Sequence, residues 1–103
     1  MYKVLVLYPA PSDPEHFRSY YVEKHLPLAA RLPGLKSSRY TFDVVGGDGA
    51  EAPYFCIWEG EFEDGPAAGA AMQSEIGQQV AADVANYATG GFQIVHYPLE
   101  SLA

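Results

Sequence analysis

The chain has 103 residues, 49% hydrophobic and 14% aromatic, which is the composition of one folded domain over 1–103 and not of a disordered segment. Six Lys+Arg against thirteen Asp+Glu give a formal net charge of −7 with no basic cluster, so nucleic acid is excluded as a partner and anionic membrane is disfavoured. The single cysteine, Cys56, has no intrachain disulfide partner, and the apolar run 4–8 is too short to span a bilayer; a cytoplasmic protein is expected.

Residues 2–8, YKVLVLY, predict a strand rich in β-branched and aromatic residues and closed by Pro9 and Pro11. Both of its parities are apolar apart from Lys3, so both faces should be covered. Ser12-Asp13-Pro14 is a helix start, with a capping side chain followed by proline where its missing N–H costs nothing. The helix that follows carries Phe17, Tyr21, Leu28 and Leu32 on one stripe. Pro27 removes a ladder bond and should kink it, and Pro33-Gly34 ends it.

A second strand is expected over 36–45, with Tyr40, Phe42 and Val44 on one face, followed by a turn at Gly46–Gly49. A third is expected over 53–59, again apolar on both faces for most of its length. From about 66 to 88, Met72, Ile76, Val80, Val84 and Tyr87 recur every three or four residues, a buried helical stripe that Gly69 and Gly77 could divide in two. Residues 92–97 are the fourth strand. The order βαββαβ is that of the α+β ferredoxin-like plait, a four-stranded antiparallel sheet with both helices on one face. Apolar outer positions on the first and third strands then call for a homodimer through sheet-to-sheet packing, a dimeric α+β barrel. The polar parity of the second strand makes that interface mixed.

On a straight helix His25 lies roughly 50° from the centre of the apolar stripe and His16 roughly 180° from His25, so the two cannot share a metal. No HxH, HxxxH or HExxH spacing occurs, and neither a metal nor another cofactor is expected. His25 reads either as a general acid/base at the edge of a cavity between the first helix and the sheet, or as a cap for carbonyls that Pro27 leaves free. Tyr40 could bond a substrate carbonyl, and Asp83 could orient the imidazole. Tyr8, Tyr21, Phe42 and Trp58 could wall a pocket for a planar ligand, although each serves equally well as core. Parity does not decide which way His96 faces. Cys56 is expected to be a small apolar residue within its strand.

The strand bearing Tyr8, the segment SDPEHFRSYYVEKHLPLAARLPGL and a strand containing Tyr40 resemble the EthD family, associated with ethyl tert-butyl ether degradation. Asp13-Pro14, Phe17, Tyr20-Tyr21, His25, Pro27 and Leu32-Pro33-Gly34-Leu35 carry the likeness most specifically. The resemblance implies a dimeric α+β barrel with its helix histidine at His25. It also implies chemistry of the isomerase, decarboxylase, dehydratase or cofactor-free monooxygenase kind on a small hydrophobic carbonyl, lactone or phenolic compound in a catabolic pathway. The family often has tryptophan where this chain has Tyr21. A non-catalytic ligand-binding or accessory protein of a degradation pathway is the alternative.

Overall fold

The computed structural model describes residues 1–102. Strand β1 (Tyr2–Tyr8) leads into helix α1 (Pro14–Tyr20), which passes through a π turn (Tyr21–His25) into the short helix α2 (Leu26–Ala29). Strands β2 (Ser37–Thr41) and β3 (Cys56–Phe62) follow, then helices α3 (Gly65–Gln73) and α4 (Glu75–Asp83), a 3₁₀ turn (Val84–Asn86) and strand β4 (Gln93–Pro98). The sheet order is β2-β3-β1-β4, with every neighbouring pair antiparallel. This is the ferredoxin-like plait that the element order predicts.

Strand alternation separates the two faces. Val4, Val6 and Tyr8 of β1 point toward the helices with Trp58 and Phe62 of β3, and Val4, Tyr8, Trp58 and Phe62 are buried. Two cores form there. One packs the aliphatic Val4, Leu32, Ala68 and Ala71 around Trp58 and Phe62. The other is aromatic, where Phe17 and Tyr21 are fully buried and Tyr8, Tyr21 and Tyr87 all pack edge-on or tilted against neighbouring rings. Such pairs add about 0.5–1.5 kcal/mol each beyond the area they bury. The opposite face is mixed. It carries Leu5, Leu7, Ile57, Val95 and Tyr97 beside Lys3, which bonds Glu59 at 2.9 Å and lies 3.4 Å from Glu61.

Several boundaries differ from the sequence expectation. β2 stops at Thr41 and not 45, because the Thr41 hydroxyl takes the Asp43 N–H (2.9 Å) and turns the chain out of the ladder. Phe42 and Val44 therefore belong to the loop that follows. Pro53 has no N–H to give, and β3 begins only at Cys56, three residues later than expected. Its outward positions become Ile57, Glu59 and Glu61, so this strand is not apolar on both faces. The break between α3 and α4 falls at Ser74, not at Gly69 or Gly77. Ser74 is extended and caps α4 by accepting from the Gly77 N–H at 3.0 Å.

Candidate functional site

His25 is at the centre of the buried face of the first helical segment, not on its shoulder. Four residues of α-helix overshoot a full turn by roughly 40°, so Phe17, Tyr21, His25 and Ala29 would drift apart on a regular helix. The π turn, in which the Leu26 N–H bonds the Tyr21 carbonyl five residues back, absorbs that drift. All four residues are buried, while Leu28 is only half-buried. Pro27 lies just beyond, at the second position of α2, in backbone that continues from the π turn.

His25 is 3% exposed, stacks on Tyr21 (5.4 Å between centroids, 17° between planes) and leans on Tyr87 (4.7 Å). Its Nδ1 lies 2.9 Å from Oδ2 of Asp83, the last residue of α4. A carboxylate only accepts, so Nδ1 carries the proton and Nε2 has the free lone pair in the neutral ring. Nε2 makes no hydrogen bond among the described residues. Burial pushes the His25 pKa below its ordinary value, and the Asp83 carboxylate offsets this only in part, so the neutral ring is the resting form. For Asp83, burial opposes ionisation, but hydrogen bonds from Tyr20, His25 and Asn86 outweigh it and hold the carboxyl below its ordinary pKa.

Beside His25 is a cavity of about 120 Å³ between the sheet and α4. Val4, Val6, Trp58, Val80, Val84 and Ile94 supply most of its wall, which His25 and Tyr8 also line. Phe92, Ile94 and Met72 are also half-exposed, which places the mouth near β4. The arrangement is a buried base of fixed tautomer facing an apolar chamber.

The residues singled out from the sequence divide. His25, Tyr8 and Trp58 line the cavity, and Asp83 reaches it through His25. Tyr21 does not line it; this ring is buried behind His25, and its hydroxyl has no hydrogen-bond partner among the described residues. Tyr40 lies on the helix-facing side of β2 but at the sheet edge, in a separate groove with Val22, Leu26 and Pro27. The expected pocket shared by His25 and Tyr40 is therefore not formed. Phe42 borders a third depression, with Tyr54 and Phe55. His96 faces the helix side opposite Val4, where its Nδ1 pairs with the Tyr2 hydroxyl, away from the cavity. Cys56 is fully buried, and burial chiefly raises its thiol pKa to about 12, which keeps it protonated at neutral pH.

Two residues complete the site that the sequence did not put forward as site residues, although Tyr20 is part of the family likeness. Tyr20 donates to Asp83 Oδ1 at 2.6 Å, and Asn86 Nδ2 donates to the same oxygen at 2.9 Å. The i,i+3 spacing of Asp83 and Asn86 was the available signal for the second. No group of three His, Cys, Asp or Glu among the described residues is disposed to hold a metal ion.

The EthD domain matches residues 10–91, from before the first helix to the end of the turn that precedes β4. The chain belongs to the EthD family. A Rhodococcus erythropolis relative, an uncharacterized 11.0 kDa protein of the thcB–thcC intergenic region, is 38% identical over 92 residues, 88% of this chain and 87% of that protein. The crystal structure of an EthD family protein from Bacillus halodurans superposes with a TM-score of 0.87 at 24% identity, covering 97% of this chain and 99% of that one. More distant structures share the fold. A dimeric ferredoxin-like protein from Thermobifida fusca has a TM-score of 0.71 at 14% identity, over 95% of this chain and 90% of that one. The hydroxynitrile lyase of Passiflora edulis has a TM-score of 0.75 at 11% identity, over 99% and 94%. Among the described residues no helix is long and apolar enough to cross a membrane.

Proposed function

We propose that this EthD protein is a small cofactor-independent enzyme in which His25 Nε2 removes and returns a proton on a compact, neutral carbonyl, lactone or phenolic compound. The observation that carries this reading is a base of single tautomer, backed by an anionic carboxylate, opening onto a chamber whose walls are otherwise almost wholly apolar. As Nε2 gains a proton the imidazolium forms against Asp83, whose charge stabilises it more than it stabilises the neutral ring; that difference favours the transition state. General acid–base catalysis of this kind contributes roughly 10²–10⁴-fold in rate.

Size and polarity narrow the substrate class. The chamber of about 120 Å³ is comparable to the apolar cavity of about 150 Å³ that accommodates benzene. A ligand of about one six-membered ring fits. A charged one would lose its hydration against hydrocarbon with no cation to replace it. The apolar residues of the outer sheet face, Leu5, Leu7, Val95 and Tyr97, support a homodimer through that face, as does the dimeric state of the Thermobifida fusca fold relative.

The test is hydrogen exchange in deuterated water over a panel of six-membered lactones and cyclic ketones, read by proton NMR. The expected result is enzyme-dependent loss of the signal α to the carbonyl, abolished in His25→Gln. Binding of panel members with no exchange between pH 6 and 8 would overturn the catalytic reading in favour of a carrier.

A further inference from the structure

Asp83 makes more hydrogen bonds than orienting one imidazole needs. Oδ2 takes the His25 Nδ1–H, while Oδ1 takes both the Tyr20 hydroxyl and the Asn86 amide. Asn86 Nδ2 also reaches the Tyr20 oxygen at 3.1 Å, so these three groups close a triangle on one side of the carboxylate. The triangle bridges two elements. Tyr20 is the last residue of α1 and Asn86 the last of the 3₁₀ turn, and His16 Nε2 reinforces the bridge by meeting the Asn86 carbonyl at 2.9 Å. Tyr20 also lies nearly parallel to Tyr87 (5.9 Å, 23°), whose ring in turn contacts His25.

Without these partners the Asp83 side chain, the 15%-exposed end of the pair, could turn its carboxylate toward water and release Nδ1. Its hold on His25 depends on which way it faces, and only Oδ1 is contacted by groups that fix this. We infer that Tyr20 and Asn86 are positioning residues: through Asp83 they hold the proton of His25 on Nδ1 and keep Nε2 free toward the cavity. Neither lines the cavity, so neither is a catalytic residue. The inference rests on the His25–Asp83 reading above and goes beyond it by assigning what keeps that pair in one state.

The test needs no substrate. Long-range proton–nitrogen correlation spectra of imidazole-labelled protein at pH 8 report which ring nitrogen of His25 bears the proton. The wild type should show one tautomer, protonated at Nδ1. Tyr20→Phe retains the ring and its stacking while deleting the hydroxyl, and Asn86→Ala deletes the amide. Each should lose the single-tautomer signature and shift toward a mixture, with the double variant shifted furthest. Dispersed amide spectra serve as the control for folding, and because the single variants are read independently, failure of the double variant to fold leaves the question answerable. If Asp83→Asn redistributes the tautomers while Tyr20→Phe and Asn86→Ala both leave them as in the wild type, the positioning role is wrong and the dyad stands. A wild-type ring protonated at Nε2 overturns the dyad itself.

Discussion

Replacing Asp83 with alanine removes the partner of a nearly inaccessible imidazole, and the cost follows from where each lost hydrogen bond leaves its other half. Asn86 is exposed and Tyr20 is half-exposed, so both can exchange the carboxylate for water at little net cost. His25 has no such recourse. At 3% exposure its Nδ1–H is left buried without an acceptor, a penalty of about 1–3 kcal/mol. Shortening the side chain at the end of α4 exposes little apolar surface, so the whole change should be about 2 kcal/mol. For a domain of this size each kcal/mol moves Tm by about 4–8 °C, and the expected fall is roughly 10 °C. Thermal unfolding at pH 7.5, followed by near-ultraviolet circular dichroism of the tyrosine cluster, reads that fall, and urea denaturation at the same pH gives the free-energy change. Lys36→Ala is the control, since it breaks an exposed pair with Glu63 at 3.6 Å that should be worth less than about 0.5 kcal/mol. If Asp83→Ala costs no more than that control, the pair does not hold the buried imidazole and the reasoning fails.

Acidification should destabilise the protein, because His25 and Asp83 both have folded-state pKa values below their unfolded ones and the unfolded chain takes up protons first. The His25 contribution is intact above its ordinary value of 6.5 and declines as pH falls below it, whereas that of Asp83 is lost only as pH falls through its lowered folded value. The urea midpoint should therefore drop between pH 7.5 and 5.5, and His25→Gln should flatten the drop; an equal slope in the variant would refute the assignment. Gly77→Ala should destabilise by about 1–3 kcal/mol despite improving helix propensity by about 1 kcal/mol. A β-carbon there would lie 2.2 Å from the Ala71 carbonyl oxygen and 2.5 Å from that of Met72, both backbone atoms; denaturation showing a gain in stability would contradict the close approach of α3 and α4. Val95→Glu places a charge on the outer sheet face at a position already 36% exposed, so the fold should survive while the proposed dimer dissociates. Size-exclusion chromatography with light scattering reads the outcome, and a variant that remains dimeric would exclude that face.

The plait was legible because its signals are local and mutually consistent. The apolar run of β1, the Asp13-Pro14 start, the Leu-Pro-Gly exit and the stripe of the second helical region each point to one element, and their order admits few topologies. Less legible were features in which one side chain redirects the backbone. Nothing in the alternation of 36–45 shows that Thr41 will capture the Asp43 N–H, the bond at which the chain leaves the strand holding Tyr40. The π turn is the sharper case. A regular helix at 100° per residue puts His25 on the shoulder of the stripe, and one wider turn moves it to the middle of the buried face. Tyr40 lies apart from His25 for a different reason. It shares a sheet face with Trp58, as parity implies, but β2 is an edge strand and Trp58, which borders both spaces, stands between its groove and the chamber. Asp83 was readable as a partner for His25, whereas the meeting of Asn86 with Tyr20 comes only through tertiary packing, which spacing along the chain does not encode.

Strand β4 gives the molecule a property that neither of its faces has alone. Ile94 points into the chamber, and Val95, the next residue, points to the opposite side of the sheet. One edge strand thus forms part of the cavity mouth and part of the surface proposed for self-association. In a dimer closed through that surface, any change that pairing makes in the position of β4 would be felt at the chamber mouth, and ligand binding and dimerisation would then be linked equilibria. Linkage is reciprocal: whatever factor dimerisation contributes to ligand affinity, the ligand returns to the dimer.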